Sequence, residues 1–250
     1  MKVAAIVCAR IRSKRLPGKV LANFWRGNLI NHILYQAAKL PYVDKVILCK
    51  PSGPENFLLD WNVNHDSPKL HIFNGPEDNV YERMRLALEK YAPDAFYRIT
   101  ADNPIQDPDV AYRVWDFFNE PGVEYATIMG VPDGTAIEIV STAAFYKVRQ
   151  FLQQMDVKEH PTTAFIANDD KFNIRVCGAH PKWGRRYRMT IDEPNDLVMF
   201  HRLFKACGPD VTLADAVNYL DRHPEVANLN NHIQQLTRVT DYEPGEIQKN

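Results

Sequence analysis

The chain has 250 residues, of which 45% are hydrophobic, and its formal net charge is −1. This is enough apolar material for one large α/β domain with its own core. The balanced charge and the lack of a long basic run argue against a nucleic-acid-binding protein. No apolar stretch approaches the ~18 residues of a membrane span, and the apolar start at 3–9 leads into charges without a cleavage site. We therefore expect a cytoplasmic protein that binds neither nucleic acid nor membrane.

Apolar runs and apolar residues at helical spacing alternate along the chain. Short continuous apolar runs are typical of strands buried on both faces of a parallel sheet. The predicted strands lie at 3–9, 45–50, 70–73, 95–99, 123–129, 136–140, 172–176 and 188–191. The predicted helices lie at 29–38, 77–91, 108–118, 142–154, 193–204 and 213–220.

This order predicts an α/β fold: an open, Rossmann-like, doubly wound sheet that is mostly parallel, with antiparallel members in its second half. We expect one domain over 1–225. The remaining segment, 226–250, is rich in Asn and Gln and is predicted to be an extended tail or to pack on a partner. The four cysteines are scattered without metal-ligand spacing, which predicts free thiols in a reducing compartment.

A basic loop follows the first predicted strand, at the position where open α/β sheets bind ligands. It places five cations within ten residues, and a triphosphate is an anion that such a cluster would bind with charge-assisted hydrogen bonds. A solvated basic loop is the alternative. Gly18 and Lys19 are followed by Val20, so the loop does not match the Walker A pattern. The five cations are Arg10, Arg12, Lys14, Arg15 and Lys19.

Two aspartates follow two other predicted strands. Asp102 comes after the strand at 95–99, and Asp192 after the strand at 188–191. Carboxylates at strand ends suit a hard cation such as Mg²⁺. Each has a structural alternative, since Asp102 could cap a turn and Asp192 could cap the following helix. Together with the basic loop, they predict a site for a metal and a phosphate.

Several segments, in order, resemble the cytidylyltransferases that make CMP-activated sugar acids. This family includes the CMP-sialic acid and CMP-KDO synthetases, and the likeness is greatest to its SpsF-like spore-coat polysaccharide branch. It spans roughly residues 3 to 205. The segments are 9–20, 75–83, 98–108, 132–138, 158–162 and 190–197.

The resemblance implies a magnesium-dependent transfer of CMP from CTP to a small acidic acceptor, with release of pyrophosphate. It implies a nucleotidyltransferase-type fold with a small inserted dimerisation region, and a homodimer. The implied catalytic residues are Lys19, Arg10 and Asp102, and the implied Mg²⁺ ligands are Asp102 and Asp192. The implied nucleotide-binding residues are Ala9, Arg10, Ser13, Arg15, Lys19, Asp78, Asn79, Val80, Arg83 and Ala101. The implied acceptor-binding residues are Glu138, His160 and Thr162.

The chain departs from the family pattern at four positions. Arg12 stands where the family commonly has Gly in the phosphate loop, and Asn79 stands where Asp is frequent. Ala136 and Pro161 replace a frequent Asp and a frequent Val near the expected acceptor pocket. The acceptor therefore stays open among nonulosonates, octulosonates, phosphonates and polyol phosphates.

Three alternatives remain at this point. A GT-A glycosyltransferase shares the sheet type and would use a D-x-D motif, whose spacing occurs at Asp107 and Asp109. A different nucleotide, such as UTP or dTTP, could replace CTP. A nucleotide-binding protein without catalysis would lack a use for Lys19 and the two strand-end aspartates. His160 is expected to bind or support more than to act as a base.

Overall fold

The computed structural model describes residues 1–153 and 158–233, and its elements follow the predicted alternation closely. The strands in this part of the chain are β1 Val3–Cys8, β2 Asn23–Phe24, β3 Gly27–Asn28, β4 Val43–Pro51, β5 Leu70–Gly75, β6 Ala95–Thr100, β7 Tyr125–Met129, β8 Glu138–Ser141 and β9 Ile174–Gly178. The α-helices are α1 Leu29–Ala38, α2 Phe57–Asn62, α3 Val80–Tyr91, α4 Pro108–Phe118, α5 Thr142–Lys147, α6 Thr163–Ala167, α7 Pro194–Cys207, α8 Leu213–Arg222 and α9 Pro224–Ala227.

Seven of these strands form one sheet in the order β5-β4-β1-β6-β8-β7-β9. The pairs of β1 with β4 and β6, of β4 with β5, and of β7 with β9 are parallel, whereas β8 is antiparallel to both of its neighbours. The predicted mixed, mostly parallel sheet is therefore confirmed. From β1 the chain builds outward to β4 and β5, and then returns to β6 on the other side of β1. The switch point of the sheet lies between β1 and β6, where ligands of such sheets bind.

Helices cover both faces of the sheet because each strand is apolar on both sides. In β1, Val3, Ala5 and Val7 face one core, and Ala4 and Ile6 face the other. The first core is closed by α1, α4, α7 and α8, and the second by α3, α5 and α6. Burying both faces excludes water from the strands, so polar side chains concentrate at the strand ends and in the loops.

Helix N-termini fix the loops that precede them. Asn28 caps α1 by accepting from the Asn31 N–H at 2.9 Å, as predicted. Asn79 caps α3 by accepting from the Glu82 N–H at 2.9 Å, so α3 begins at Val80 and not at the predicted Glu77. Each cap satisfies a backbone donor that has no partner inside the helix.

Two predicted elements in the second half are wrong. Residues 188–191 form no strand: Arg188 makes one isolated bridge to Asp133, and Ile191 then bonds the loop after β6. The predicted helix over 142–154 ends at Lys147 and continues as a 3-10 turn over Val148–Phe151; its last predicted residue lies outside the described residues. Ser141 precedes α5 without a side-chain cap.

The end of the described chain packs on the domain. Val226 and Ala227 of α9 and the following Asn230 are buried. The division at residue 225 stays a prediction, and 234–250 lie outside the described residues. Over residues 1–153 and 158–233, no helix is both long enough and apolar enough to cross a membrane.

Candidate active site

The basic loop leaves β1 at the switch point and is folded by its own backbone. The Ile11 carbonyl accepts from the N–H groups of Ser13 and Gly18, both at 3.0 Å. The Ile11 N–H donates to Asn56 Oδ1 at 3.0 Å, which ties the loop to the segment after β4. Gly18 has φ +73°, a value that favours glycine, and it turns the chain into the 3-10 turn that begins at Lys19.

Lys19 points back into the molecule and joins the two predicted aspartates. Its Nζ lies 2.9 Å from Asp102 Oδ2, 2.8 Å from Asp192 Oδ1 and 2.8 Å from the Ile191 carbonyl oxygen. An ammonium has three N–H donors, so this geometry uses all of them. The lysine side chain is only 10% exposed, against 26% for Asp102. The structure thus brings together three residues that are up to 173 positions apart.

Backbone bonds hold Asp102 in this place. The N–H of Ala101 donates to the Cys8 carbonyl at 3.1 Å, which extends the pairing of β6 with β1 by one residue. The Asp102 carbonyl accepts from the Ile191 N–H at 2.8 Å. The loop after β6 and the segment ahead of α7 are therefore joined at Asp102. Ala101, a predicted nucleotide-binding residue, is buried next to it in the chain.

Asp192 lies among three cations. Besides Lys19, its Oδ2 contacts Arg15 at 2.8 Å and Arg188 at 3.2 Å. Arg188 is itself held side-on by Asp196, at 2.8 Å and 3.0 Å. Burial acts to raise the pKa of Asp196, but hydrogen bonds from Arg188 and from backbone N–H groups outweigh it and hold that pKa below its usual value.

The other loop cations pair with carboxylates on neighbouring segments. Arg10 contacts Glu159 at 2.7 Å, and Arg12 contacts Glu55 at 2.9 Å. The protein itself therefore supplies part of the anionic charge that the sequence argument assigned to a ligand. The Arg10–Glu159 pair is solvent-exposed on both sides, so exchanging it for a contact with a phosphate costs little, whereas the Glu55 side chain is only 22% exposed. Ser13 Oγ, predicted to contact the nucleotide, accepts from the Leu16 N–H at 3.5 Å.

The predicted nucleotide segment divides into exposed and buried parts. Asp78 is exposed, and Asn79 and Val80 are half-buried at the start of α3. Arg83 is buried, and its guanidinium donates to the carbonyl oxygens of Pro76 at 2.7 Å and Glu77 at 3.3 Å. Arg83 therefore supports the loop that precedes α3.

The predicted acceptor residues lie at the start of β8 and ahead of α6, on the side of the sheet that packs against α3, α5 and α6. Glu138 begins β8 and meets Arg98 of β6, with 3.4 Å between Oε1 and the guanidinium. His160 accepts through its carbonyl from Thr163 at the start of α6. Thr162 is buried, 3% exposed, ahead of the same helix.

Arg98 and Glu138 are under-satisfied for buried polar groups. Across the part of the chain that the structure describes, Arg98 Nε and Glu138 Oε2 are both buried without a hydrogen-bond partner. Nearby, Cys8 pairs in register with Cys49. A hydrogen bond with Cys49, together with the charges of Arg83 and Arg98 and against the effect of burial, lowers the pKa of Cys8 to about 7. The four cysteines are free thiols, as predicted, although Cys8 and Cys207 are only half-buried.

Four charged residues of this region had no role predicted from the sequence. Arg98 lies in one of the segments that resemble the cytidylyltransferases. A charged residue within a buried strand is rare, so its position alone indicates a functional role. Asp196 lies three residues after Glu193, the spacing of a capping box, and that box is present. Arg188 and Glu159 carry no local signal, because their partners are set by the fold.

The D-x-D spacing at the start of α4 has a structural explanation. Asp107 caps α4 by accepting from the N–H groups of Asp109 and Val110, and it also accepts from the Leu213 N–H. Within residues 1–153 and 158–233, no group of three His, Cys, Asp or Glu side chains is placed to hold a metal ion. Both carboxylate oxygens of Asp107 thus accept from backbone N–H groups, which explains the D-x-D spacing as a helix cap.

An α/β sheet whose switch point carries a basic loop and two aspartates, Asp102 after β6 and Asp192 ahead of α7, is typical of a protein that binds phosphate-containing nucleotides. The comparisons name the class: a family described as cytidylyltransferase matches residues 4–206. The chain belongs to the cytidylyltransferase family and is a nucleotidyltransferase.

One relative in sequence and two solved structures of the same fold are similar to this chain. The spore coat polysaccharide biosynthesis protein SpsF of Bacillus subtilis (strain 168) is 24% identical over 230 residues, which cover 89% of this chain and 95% of that protein. A cytidylyltransferase structure from Leptospira borgpetersenii serovar Hardjo-bovis (strain JB197) has a TM-score of 0.83 at 20% identity, covering 95% of this chain and 100% of that one. A CMP-2-keto-3-deoxy-manno-octonic acid synthetase complexed with CTP has a TM-score of 0.61 at 14% identity, covering 82% and 99%.

Proposed function

We propose that this enzyme transfers CMP from CTP to a small acidic acceptor, with release of pyrophosphate and with dependence on Mg²⁺. One observation carries the proposal: Lys19, from the loop after β1, meets Asp102 and Asp192 at the switch point of the sheet. A cation and two carboxylates at this point can bind a metal and a triphosphate together.

The donor set fits magnesium. Asp102 and Asp192 both bond one ammonium nitrogen, so their oxygens converge on a single cation. Protein sites for Mg²⁺ usually supply one or two carboxylates and leave the remaining positions to water and to substrate phosphates. Asp102 and Asp192 would hold the ion, which when bound supplies neutralisation of the phosphate charge.

The reaction is an in-line displacement at the α-phosphorus of CTP. An oxygen of the acceptor forms a bond to that phosphorus, and the bond from the phosphorus to the oxygen bridging the β-phosphate breaks. Pyrophosphate leaves with the bonding electron pair, and a hydroxyl nucleophile gives up its proton. Such transfers depend on alignment and charge neutralisation more than on covalent help from the protein.

Lys19 has to change partners in order to contact a phosphate. Its three donors are all used by Asp102, Asp192 and the Ile191 carbonyl. The carboxylate of Asp102 is the more exposed of the two partners, so it is the one that a ligand can reach first. We propose that binding of the nucleotide exchanges the Asp102 bond for a phosphate bond, and that Arg10 and Arg15 exchange their carboxylate partners in the same way.

Arg98 and Glu138 support an acidic, hydroxylated acceptor. A guanidinium with an unused donor suits a carboxylate or a phosphonate, and a carboxylate with an unused oxygen suits a hydroxyl group. Sugar acids carry both groups. The name of the Bacillus relative refers to polysaccharide biosynthesis, and we propose that the acceptor here is a building block of the same kind, with phosphonates and polyol phosphates as the other candidates.

The test is pyrophosphate release measured with CTP, UTP and dTTP against a panel of these acids. We expect release with CTP and at least one acid, and loss of release when Mg²⁺ is chelated. We also expect the Asp102→Asn variant to remain folded and to lose most of its turnover. Pyrophosphate release with UTP or dTTP but not with CTP would overturn the proposal. Wild-type turnover in the Asp102→Asn variant would also overturn it.

A further inference from the structure

Asp196 is the most enclosed charged group of the site. Its side chain has no exposure, and its Oδ2 accepts from the N–H groups of Asp192 at 2.8 Å and Glu193 at 2.9 Å. Both carboxylate oxygens also accept from Arg188, at 2.8 and 3.0 Å. Asp196 therefore helps to position Asp192 in two ways. It accepts from the backbone N–H of Asp192, and it binds Arg188, which contacts the Asp192 carboxylate.

Asn230 completes this arrangement from the far end of the described chain. Its Nδ2 donates to Asp196 Oδ1 at 2.9 Å and to the Arg188 carbonyl oxygen at 3.1 Å. It is 2% exposed, whereas Asn228 and Asn231 beside it are exposed. Asn230 lies outside the region that matches the family, residues 4–206.

We propose that Asn230 is a positioning residue for Asp192, acting through Asp196 and Arg188. An amide nitrogen has two N–H donors, and this one uses one on each partner. Without it, Oδ1 of Asp196 loses one of the two donors described above, and the Arg188 carbonyl oxygen loses the N–H donor of Asn230. The Asp196 carboxylate and the Arg188 backbone, which both help to position the guanidinium against Asp192 Oδ2, are then less firmly held.

The inference rests on the proposed function, since it assigns Asn230 a part in holding Asp192 for the metal and the nucleotide. Groups that orient a metal ligand change metal affinity or activity by about 10- to 100-fold when they are removed. We therefore expect an effect at the lower end of that range, about tenfold, because Asn230 acts through two intervening side chains.

The experiment is calorimetric titration of CTP, with and without Mg²⁺, into the full-length Asn230→Ala variant. We expect the affinity for CTP in Mg²⁺ to fall about tenfold. Asn228→Ala and Asn231→Ala remove the same side chain from exposed neighbours and should leave the affinity unchanged. The Asn230→Asp variant keeps the shape but places a carboxylate against Asp196, so it should lose more than Asn230→Ala.

A merely structural role gives a different pattern. The Asn230→Ala variant would then lower the Tm and leave the Mg²⁺-dependent affinity for CTP at the wild-type value, and this result would overturn the inference. If wild-type protein does not bind CTP at all, the proposed function fails. A double-mutant cycle on thermal stability between Asn230→Ala and Asp192→Asn then decides the inference alone: non-additive Tm changes support it, and additive changes overturn it.

Discussion

Two charged regions of the site differ in how fully their polar atoms are hydrogen-bonded: the Lys19 side, at the switch point, and the side of Arg98 and Glu138, on the neighbouring strands β6 and β8. On the Lys19 side, every donor of the ammonium has a protein acceptor, and Asp192 is in contact with Lys19, Arg15 and Arg188. On the other side, Arg98 and Glu138 meet at 3.4 Å, and each keeps a buried polar atom that no described residue satisfies.

This difference in hydrogen bonding indicates that the two sides bind their ligands in different ways. A fully bonded cluster holds its groups in place and releases them only in exchange for a stronger partner. An under-satisfied buried pair carries a desolvation cost that a matching ligand would relieve. We interpret the first as the nucleotide and metal side of the site and the second as the acceptor side.

The largest expected effect comes from breaking the bonded cluster with Lys19→Met. Two carboxylates are then left without their shared cation, so we expect a loss of about 3 kcal/mol of stability and a fall in turnover of about 10²–10³-fold. Thermal denaturation and pyrophosphate release measure these effects. The Lys14→Met variant makes the same change at an exposed position of the same loop; an equal loss there would show that only the net charge of the loop matters.

The under-satisfied pair is tested by Arg98→Gln. We expect the KM for the acceptor to rise by about 10- to 100-fold, the cost of removing one charge-assisted contact. The KM for CTP should stay within about twofold, because Lys19 and the aspartates are untouched. The matched control is Arg222→Gln at an exposed position of α8. If the KM for CTP rises instead, Arg98 binds the nucleotide, and the interpretation of the two sides as a nucleotide side and an acceptor side is wrong.

A third test measures how pH affects the folding stability of the region around His32, which supports the loop that carries Asp102. His32 is fully buried and bonds the Pro104 carbonyl in the loop after Asp102, and burial lowers its pKa from 6.5 to about 4. Below pH 6.5 His32 is protonated in the unfolded chain but stays neutral in the folded protein, so the free energy of unfolding falls as the pH drops toward 4. We expect a loss of about 1.4 kcal/mol from pH 7.5 to 5.5.

Denaturant unfolding at the two pH values measures that loss. The His32→Gln variant should reduce the pH dependence by this amount, whereas His65→Gln at an exposed position should retain it. The same pH dependence in wild-type protein and His32→Gln would show that other groups cause it.

The smallest expected effect is at Arg12, where the family commonly has Gly. The Arg12 side chain is 76% exposed and pairs with Glu55 at the surface. Exposed ion pairs contribute little, so Arg12→Gly should change the KM for CTP by about threefold or less. Steady-state kinetics measure this. A loss of tenfold or more would mean that Arg12 belongs with the phosphate-binding cations.

The sequence predicted what depends on local pattern. Apolar runs gave β1, β4 and β6, and helical spacing with a cap gave α1. The predicted strand at 188–191 was wrong because that segment makes only an isolated bridge to Asp133 and a backbone bond to Asp102, and periodicity carries no information about such contacts. The approach of Lys19 to Asp102 was predictable because the loops after β1 and β6 meet at the switch point. Asp192 joins them without a preceding strand, through the backbone bond of Ile191 to Asp102. The partners of Arg10, Arg12 and Arg188 were not, since they depend on how distant loops fold against one another.

The most direct test of the central claim is the Mg²⁺ dependence of CTP binding, measured by calorimetry in wild-type protein and in the Asp102→Asn variant. If Asp102 and Asp192 hold the metal that binds the triphosphate beside Lys19, CTP should bind wild-type protein at least about tenfold more tightly with Mg²⁺ than without it. In Asp102→Asn that ratio should fall close to one while the protein remains folded. An unchanged ratio in the variant would contradict the account.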